Sequence, residues 1–523
     1  MKTTRRKRLV TAAEMRAIEH ASIANGRVTG GALMERAGRA VVDAIFARWP
    51  DLARVPGKAV VLCGPGNNGG DGFVIARLLQ GWGWKVAVFA WGDLARRPQD
   101  AAEQQALWTS RGVIHPLPIN AVPDPHDGPG VIIDALFGTG LARGLGADLV
   151  QAMLTPLEGS GFADWRRVAV DIPSGICADS GRVLTDAQGN GAAFRANLTV
   201  TFHAHKPGHV LDRGPDFCGD VVVCDIGLDD DSPLGQHGLA MIDAPDAAQI
   251  DKKSGHKYGH GHVLVLSGGL GRSGAARLTA RGALRIGAGL VTVAAPAAAM
   301  AECAAQLTAI MLRQLDSADA LAAMLEDSRI TALCLGPGLG VARARELVPI
   351  ALRAGRPVVL DADAISAYGD RPEDLFAALH KGVILTPHDG EFARLFPDLS
   401  QALAQPATRG PAMSRIDATA AAAKRAGCVV LLKGRDTIIA DPSGHAAVHA
   451  ATGVRTVGWL ATAGAGDVLA GVLAGLLARG LSPMSAAKAA VWLHVEAALI
   501  CGPGMIAEDL PEAMPRLLRP LLG

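Results

Sequence analysis

The amino-acid sequence predicts two α/β domains, each built around a mainly parallel sheet. The chain has 523 residues, more than one ordinary domain contains, so two or three domains are expected. In both halves, short apolar runs ending in glycine alternate with helical stretches rich in Ala, Leu and Arg, as βα units do. Residues 228–260 are rich in Asp, Pro, Gly and Lys, with little periodicity. We therefore place one domain at residues 1–235 and the other at residues 240–523.

The composition argues against several classes of protein. A net charge of +1 gives no reason to expect nucleic acid or a membrane surface as a partner, and we find no apolar run long enough to span a membrane. Residues 1–10 carry five basic side chains but lead into polar sequence, which indicates a disordered start and not a secretion signal. The eight cysteines are scattered without metal-type pairs, so we expect buried thiols in a cytoplasmic protein.

The predicted elements follow one another regularly in both halves. In the first half we predict helices at residues 12–24 and 31–49, and then strands at residues 59–63, 85–90, 131–135, 168–172, 198–202 and 221–225. In the second half we predict strands at residues 262–267, 291–294, 332–336, 358–361, 383–386 and 429–433. The halves share this architecture but no repeated sequence.

A glycine-rich segment at residues 64–72 (GPGNNGGDG) lies between the first strand and a helix predicted at residues 73–80. Its glycines match the fingerprint by which a backbone approaches the pyrophosphate of a dinucleotide. The alternative is a tight turn that needs positive φ. Asn67, Asn68 and Asp71 add amide oxygens and a carboxylate beside a hollow of phosphate size.

Polar side chains also stand at the ends of two later strands of the first half. Asp134 ends one apolar run and precedes the glycine-rich residues 138–144, and Asp171 and Ser174 follow the next run. The carboxyl ends of strands form the binding crevice of an open α/β sheet. Oxygens of Asn68, Asp134 and Ser174 could coordinate a hard cation there. Alternatively, each carboxylate only caps a turn or a helix.

The segments NNGGDG, DALFGTGL, DIPSG and TFHAHKPG together resemble the N-terminal epimerase domain of the bifunctional NAD(P)H-hydrate repair enzymes, across about residues 10–230. The resemblance implies a Rossmann-like three-layer sandwich that interconverts the R and S hydrates of NADH and NADPH, with potassium at Asn68, Asp134 and Ser174. The residues that it places at the substrate are Asn67, Asn68, Gly69, Gly70, Asp71, Gly138, Thr139, Gly140, Leu141, Ala142, Arg143, Gly144 and Asp171. We infer that Asp171 is the proton acceptor, because a carboxylate near the 6-hydroxyl can assist hemiaminal opening or hydroxide exchange.

The second half contains the segment TAGAGDVLAG, residues 462–471, at a predicted helix start. The small residues from Ala463 to Gly466 leave backbone N–H groups free to close around an anion, whose charge the helix dipole favours. Asp467 would face the same point as a base or as a carboxylate beside a metal. An anion hole with an adjacent base is what phosphoryl transfer to a hydroxyl requires. The alternative is a helix start packed on a strand, with Asp467 as its cap.

Other loops of the second half also follow predicted strands. The glycine-rich residues 269–274 and 336–340 could bind a nucleotide or form simple βα turns. Asp361 and Asp363 could hold Mg²⁺, although capping of the next helix is the slightly favoured alternative. Residues 433–437 (KGRDT) join two short strands and could bind phosphate or be only a hairpin turn.

These loops resemble the C-terminal dehydratase domain of the same repair enzymes, which is related to ribokinase-like kinases, across about residues 250–515. The resemblance implies a ribokinase-like α/β domain. The residues that it places at the hydrate are Ala275, Gly338, His388 and Asp467, and those at the adenine nucleotide are Lys433, Gly434, Arg435, Asp436, Thr437 and Gly466. Two positions depart from the family pattern: Asp389 stands where Pro is usual, and Trp459 lies in a run that usually contains Asn. Asp389 should point away from the phosphate or pair with a cation.

The two resemblances imply a bifunctional enzyme whose first half converts the R hydrate to S and whose second half dehydrates S to NADH or NADPH. The uninterrupted fusion favours ADP, converted to AMP and phosphate, with ATP as the alternative and Mg²⁺ and K⁺ as cations. We expect a homo-oligomer that acts on small molecules. A small-alcohol kinase of pyrimidine or thiazole type, with an accessory nucleotide-binding domain, is the second hypothesis. A binding module is the third, against which the retained polar residues of the first half argue.

Overall fold

The computed structural model describes residues 8–117, 130–154, 162, 164–228 and 238–523, which form two compact α/β units, as predicted. Unit 1 comprises Met1–Gln236 and the short segment Gln405–Ser414, which we call the strap. Unit 2 comprises His237–Ala404 and Arg415–Gly523. The strap lies within the second half of the sequence and yet packs on unit 1. The predicted boundary falls partly outside the described residues, at positions 229–237.

Unit 1 is built on a parallel sheet of seven described strands in the order β3-β2-β1-β4-β5-β6-β7. The strands are β1 (Lys58–Cys63), β2 (Lys85–Ala90), β3 (Ile114–Pro116), β4 (Gly130–Ala135), β5 (Arg166–Val170), β6 (Leu198–Phe202) and β7 (Asp220–Cys224). The helices are α1 (Ala12–Ala24), α2 (Gly30–Arg48), α3 (Asn67–Gly81), α4 (Gln99–Thr109), α5 (Ala147–Leu149) and α6 (Gly214–Cys218). The six predicted strands are confirmed to within two residues. The short, half-exposed β3 was missed.

The central strands of unit 1 are buried on both faces, which explains their unbroken apolar sequence. Every residue of β1 and β4 is buried. The helix after the glycine-rich segment begins at Asn67 and not at the predicted residue 73. The NNGGDG motif therefore forms the first turn of α3. A Cβ at Gly69 would lie 2.0 Å from the Gly64 carbonyl oxygen, so this turn requires glycine.

Unit 2 is built on a mixed sheet of ten described strands in the order β11-β10-β9-β12-β13-β14-β15-β16-β17-β8. The strands are β8 (Ala240–Met241), β9 (His262–Leu266), β10 (Leu290–Ala295), β11 (Met311–Gln314), β12 (Ala332–Leu335), β13 (Val358–Leu360), β14 (Val383–Leu385), β15 (Val429–Leu432), β16 (Asp436–Ala440) and β17 (Ala446–Ala450). The six predicted strands are again confirmed. The pairs β15–β16 and β16–β17 are antiparallel, so the segment after Lys433 is the hairpin turn that was one of its two interpretations.

The helices of unit 2 cover both faces of this sheet. They are α7 (Ala247–Ile250), α8 (Gly274–Arg285), α9 (Met300–Ala304), α10 (Ala318–Met324), α11 (Val341–Arg353), α12 (Asp363–Ser366), α13 (Pro372–Phe376), α14 (Asp389–Leu395), α15 (Pro397–Ala404), α16 (Arg415–Ala426), α17 (Ala465–Ala478), α18 (Pro483–Cys501) and α19 (Asp509–Leu522). Helix α17 is almost entirely buried and packs along α8. It carries the TAGAGD segment at its start.

Helix α18 corrects one expectation from the sequence. By length and composition it could cross a membrane, since it has 19 residues with a mean hydropathy of 1.3. More than half of it is buried in the core of unit 2, where it packs with α17 and α19. Burial in a core accounts for its apolar sequence. The expectation of buried thiols is met: all eight cysteines are free, and six of them are buried.

Two candidate active sites

Asp171 is the centre of a polar cluster at the carboxyl end of β5. Its backbone φ is +67°, a conformation that residues other than glycine rarely adopt. Asp171 Oδ1 accepts a hydrogen bond from Thr201 Oγ1 at 2.9 Å and lies 2.8 Å from Lys206 Nζ. Asp171 Oδ2 accepts a hydrogen bond from the Thr139 N–H at 3.2 Å. Oδ1 is therefore held by Thr201 and Lys206, and Oδ2 faces residues 138–144.

Buried charges keep Asp171 ionised. Burial alone would raise the pKa of Asp171, but the Lys206 ammonium holds that pKa below its ordinary value. The Lys206 side chain is only 1% exposed. His209 accepts from the Lys206 N–H through Nδ1 and donates from Nε2 to the Asp171 carbonyl, so it is the neutral Nε2 tautomer. Burial lowers the pKa of His209 to about 3, so this ring adds no charge at neutral pH.

Asp134 and Ser174 form a second, adjoining pair. Ser174 donates from Oγ to Asp134 Oδ1 at 2.7 Å and from its backbone N–H to Oδ2 at 2.7 Å. The Leu136 N–H also donates to Oδ1, at 3.2 Å. Burial raises the pKa of Asp134 to about 6, against the opposing effect of the Ser174 hydrogen bonds. The structure thus joins two of the three predicted cation ligands.

Gly138 lies between Asn68 and Asp171. A Cβ at Gly138 would lie 3.1 Å from Asn68 Oδ1 and 3.1 Å from Asp171 Oδ2, so the predicted convergence of these segments is observed. Asn68 Nδ2 is buried and has no hydrogen-bond partner among the residues that the structure describes. The amide of Asn68 can therefore turn to a ligand. Asp71, in the same helical turn, has a pKa raised well above its ordinary value by burial and by the charge of Asp171.

This cluster also contains Lys206, His209 and Glu19, for which the sequence alone predicted no role. Lys206 lies in the TFHAHKPG segment, which pointed to the family without revealing its partner Asp171. Glu19 stands on α1, far from the others in the chain. Burial raises the pKa of Glu19 to about 7, and the Asp171 charge adds to that shift. No local pattern could predict these contacts, because each joins distant segments.

The turn before α17 forms the centre of the site in unit 2. Gly464 has a φ of +89°, which glycine adopts without strain, and the helix begins at the next residue. His494 Nε2 lies 2.9 Å from the Ala465 carbonyl oxygen. Thr279 Oγ1 donates to the Asp467 carbonyl at 3.0 Å. Two neighbouring elements therefore fix the start of the helix. Its first N–H, that of Ala465, donates to the Thr462 carbonyl at 3.4 Å, and among the described residues the N–H groups of Gly466 and Asp467 remain available to an anion.

Asp467 stands in this first turn beside other charged groups. Burial raises the pKa of Asp467 to about 6; the Asp361 carboxylate adds to this shift, and the Lys433 ammonium opposes it. Lys433 Nζ lies 2.7 Å from Asp361 Oδ1 and 3.9 Å from Glu391 Oε2. A Cβ at Gly466 would lie 3.8 Å from Lys433 Nζ. The structure thus brings an acid–base group, a cation and the helix start together.

Asp363 does not act as the predicted helix cap. Its Oδ2 accepts a hydrogen bond from the Gly340 N–H at 2.8 Å, so it fixes the loop at residues 336–340. Helix α12 has no side-chain cap, and Asp361 pairs with Lys433. The expectation of capping is wrong because both carboxylates have partners on other segments.

Of the other predicted hydrate-binding residues, Gly338 and His388 follow strands β12 and β14, and Ala275 lies in the first turn of α8. Gly338 has a φ of +62°, and a Cβ there would lie 3.2 Å from the Ala275 Cβ, so these two residues adjoin. His388 caps α14: its Nδ1 accepts from the Gly390 N–H at 3.0 Å, and its own N–H donates to Glu391 Oε2 at 3.0 Å. The imidazole is 56% exposed, so the same residue can cap a helix and face a ligand.

A cavity of about 420 Å³ adjoins the start of α17, a size suited to a small ligand. Five of the six predicted nucleotide residues line it: Lys433, Gly434, Arg435, Thr437 and Gly466. Much of its remaining wall is apolar and includes Val457, Leu460, Leu469 and Val491. The sixth predicted nucleotide residue, Asp436, does not line the cavity. It is buried and pairs with Arg415, whose Nε lies 3.1 Å from Asp436 Oδ1.

Arg415 was not predicted, although it supports the nucleotide loop. It donates to the Lys433 carbonyl at 3.0 Å and from Nη1 to Asp389 Oδ1 at 2.6 Å. The Asp389 side chain is 72% exposed. The charge at this departure from the family pattern is thus neutralised by the Arg415 guanidinium. Trp459 is 53% exposed and does not line the cavity, whereas its neighbours Gly458 and Leu460 do.

Comparison with known proteins covers both units. A family described as NAD(P)H-hydrate dehydratase matches residues 263–512, and one described as YjeF-related protein N-terminus matches residues 30–208. The bifunctional NAD(P)H-hydrate repair enzyme Nnr of Coxiella burnetii is 34% identical over 495 residues, covering 93% of each chain. Its Escherichia coli counterpart is 32% identical over 499 residues, covering 93% of this chain and 89% of the other.

Among solved structures, the chain is similar to an ADP/ATP-dependent NAD(P)H-hydrate dehydratase of Bacillus subtilis, co-crystallized with ATP and Mg²⁺. The identity is 26% and the TM-score 0.43, over 53% of this chain and 99% of the other. Within the described residues, no three or more His, Cys, Asp or Glu side chains come together closely enough to hold a metal ion.

Proposed function

The chain belongs to the bifunctional NAD(P)H-hydrate repair enzymes, and from that membership we propose which residues carry each of its two reactions. Its activities are epimerisation of hydrated NADH and NADPH, or NAD(P)HX, and their nucleotide-dependent dehydration. We assign epimerisation to unit 1 and dehydration of the S form to unit 2. This division follows the order of the two matched families along the chain.

In unit 2, we propose that Asp467 is the general base. It takes the proton of the C6 hydroxyl, whose oxygen then bonds to the terminal phosphorus of the nucleotide while the P–O bond to the remaining nucleotide breaks. The N–H groups at Gly464–Gly466 and the Lys433 ammonium would hold the phosphoryl group. The C6–O bond then breaks with loss of phosphate and of a C5 proton, which restores the dihydropyridine. The position of Asp467 beside Lys433 and the helix start is the observation that carries this assignment.

We propose ADP as the co-substrate, converted to AMP and phosphate, in the cavity beside Lys433. Mg²⁺ is usually held by one or two carboxylates together with the phosphates of a substrate. Asp361, which pairs with Lys433, is the carboxylate that could take that part here, and Asp467 is left to act as the base. When bound, the ion would neutralise charge on the transferring phosphate.

In unit 1, we propose that Asp171 accepts the proton of the 6-hydroxyl when the hemiaminal opens or exchanges hydroxide. Its low pKa keeps it ionised at neutral pH, and its Oδ2 faces the loop at Gly138. Lys206 is too buried to reach a ligand, so its part is to hold the carboxylate in position and charged. The residues 67–71 and 138–144 would bind the rest of the substrate.

We propose that Asn68, Asp134 and Ser174 bind potassium. The set offers an amide oxygen, a carboxylate and a hydroxyl, a low-charge group of ligands that suits a large, weakly hydrated cation better than Mg²⁺. Asp134 Oδ1 and Ser174 Oγ lie only 2.7 Å apart, so one cation could contact both. When bound, the ion would offset repulsion between the carboxylates and the phosphates of the substrate.

One assay tests this assignment of activities. The purified chain is given mixed R and S hydrates with ADP, with ATP or with no nucleotide, and the dihydronicotinamide absorbance is followed. We expect full recovery with ADP, and interconversion without recovery when nucleotide is omitted. Phosphorylation of a hydroxymethyl pyrimidine or a hydroxyethyl thiazole, without hydrate repair, would instead support a small-alcohol kinase. We also propose a homo-oligomer in the cytoplasm, a reducing setting that suits its free cysteines.

A further inference from the structure

The strap is hydrogen-bonded to the rest of unit 1 along most of its length. The Thr185 N–H donates to the Ala407 carbonyl at 3.0 Å, and the Gly410 N–H donates to the Ala142 carbonyl at 3.0 Å. Near its end, the Ala412 N–H lies 3.5 Å from Cys177 Sγ. Ala407 and Ala412 are buried with Cys177 and Leu184 in a small apolar cluster, against which the partly buried Leu141 packs. These contacts fix the strap against the loop at residues 138–144.

Thr408 and Arg409, at the middle of the strap, line a cavity in unit 1. The cavity has a volume of about 790 Å³ and is also lined by Trp91, Phe137 and Arg143. Among the described residues, neither the Arg143 nor the Arg409 guanidinium forms an ion pair or a hydrogen bond. Asp186, the carboxylate in the wall, instead accepts hydrogen bonds from backbone N–H groups of its own turn. Two unpaired cations and two aromatic rings therefore face one space.

The same loop connects this cavity with the reacting carboxylate. Gly138 adjoins Asp171 and Asn68, and the Thr139 N–H donates to Asp171. Leu141, Arg143 and Gly144, at the other end of the loop, line the cavity. A ligand that reacts beside Gly138 and extends along the loop would thus bring its distant part to the two arginines. A dinucleotide is an extended molecule of this kind, with a pyrophosphate and, in NADPHX, a further phosphate.

We propose that Arg409 of the strap binds a phosphate group of the dinucleotide hydrate during epimerisation, so that the substrate site of unit 1 is completed by a segment from the second half of the sequence. Guanidinium groups bind phosphate through paired, charge-assisted hydrogen bonds. Trp91 and Phe137 offer apolar faces to a base or to the nicotinamide ring. The proposal rests on the assignment of epimerisation to unit 1.

The full-length variant Arg409→Gln tests the proposal, with epimerisation followed in the absence of nucleotide so that unit 2 is inactive. We expect KM for the hydrate to rise about ten-fold, the loss typical of a charged hydrogen bond, with kcat little changed. Arg409→Lys should recover part of the affinity. Arg54→Gln, an exposed arginine that precedes β1 at its amino end, is the matched control and should leave KM unchanged.

Comparison of the KM values for NADHX and NADPHX shows which phosphate group of the substrate Arg409 binds. A KM rise confined to NADPHX places Arg409 at the additional phosphate, and an equal rise for both places it at the pyrophosphate. An unchanged KM for both substrates overturns the proposal while epimerisation itself persists. Absence of epimerisation in the wild-type chain would instead contradict the assignment of unit 1.

A second variant separates binding from packing. A Cβ at Gly410 would lie 2.9 Å from the Leu141 carbonyl oxygen, too close to fit without movement of the strap. Gly410→Ala should therefore raise KM as Arg409→Gln does, and dehydration of pure S hydrate should proceed at the wild-type rate. If Gly410→Ala raises KM but Arg409→Gln does not, the strap only supports the loop, and the phosphate contact is wrong.

Discussion

Asp467 and Asp171 both stand beside a lysine, but the pKa values of their carboxyl groups move in opposite directions. Burial, and next the Asp361 charge, raise the pKa of Asp467 to about 6, and Lys433, which also lies close to Asp361 and Glu391, only partly opposes this shift. Lys206 instead makes a direct contact with Asp171 and keeps its pKa low. A base with a pKa near the working pH both accepts and returns a proton readily. Asp467 is tuned in this way, whereas the low pKa of Asp171 keeps that carboxylate ionised and so available to accept a proton.

Replacement of Asp467 by Asn should abolish dehydration and preserve epimerisation and nucleotide binding. The amide keeps the shape of the side chain but cannot take a proton, and loss of a general base costs roughly 10²–10⁴-fold in rate. In the wild-type chain, dehydration should decline as the pH falls through about 6, because Asp467 then becomes protonated. The measurement is absorbance recovery from pure S hydrate across pH. Near wild-type dehydration by Asp467→Asn would remove this residue from the role of base.

Asp134 gives a prediction about stability. Its folded pKa of about 6 lies above the ordinary value of 3.8, so the folded state retains a proton that the unfolded state has lost between these values. Stability should therefore fall as the pH rises through that window. A cation that binds the ionised carboxylate reverses the loss. We expect potassium to raise the melting temperature at about pH 8 but not at about pH 5.

The control for this effect is tetramethylammonium chloride at the same ionic strength, and the matched variant is Asp134→Ala. That variant should lose the potassium effect and epimerise poorly, while it dehydrates pure S hydrate normally. Epimerisation that is unchanged in Asp134→Ala, or in buffer freed of potassium, would contradict the potassium site.

At the scale of single elements, prediction succeeded where burial leaves a local pattern in the sequence. Strands β1 and β4 are apolar throughout because helices cover both of their faces. Strands β3 and β11 are short edge strands, the first half-exposed and the second largely exposed, with the sequences IHP and MLRQ, so no apolar run marks them. The start of α3 was placed six residues late, because glycines usually end helices and here they allow close approach to β1.

Helix α17 offers a test of close packing between elements. A Cβ at Gly471 would lie 2.0 Å from the Thr279 carbonyl oxygen on α8. Gly471→Ala should push these helices apart and lower the free energy of unfolding by about 1–3 kcal/mol, the usual range for overpacking. Gly259→Ala, where nothing lies within 4 Å of the added carbon, is the control and should melt like the wild type. Equal melting temperatures for the two variants would contradict the packing argument.

At the scale of the whole molecule, the sequence predicted two α/β units and the loops that hold their sites, because strand ends in a parallel sheet share one edge. It did not predict contacts that join distant segments. Arg415 with Asp436, Lys206 with Asp171 and the strap with residues 138–144 each depend on the folded chain. No composition or periodicity marks residues 405–414 as part of unit 1.

Separate expression of residues 1–235 and 240–523 tests the independence of the halves. We expect the second fragment to dehydrate only the S form and to stop when that is exhausted. The first fragment should epimerise without nucleotide, but with a raised KM, because it lacks the strap. The matched comparison is the KM of the first fragment measured after addition of the second fragment, which contains the strap. Consumption of both hydrates at equal rates by the second fragment alone would contradict the division of labour.

The strap also has a consequence for how the protein folds during its synthesis on the ribosome. Unit 1 is nearly complete when Gln236 has been made, yet its last segment ends at Ser414. At 5–20 residues per second, the roughly 180 further residues delay completion of that segment by roughly 9–36 seconds. During this interval the nascent epimerase must hold its loop at residues 138–144 without its final support. The enzyme that repairs damaged cofactors thus acquires its first site in full only when much of its second has been translated.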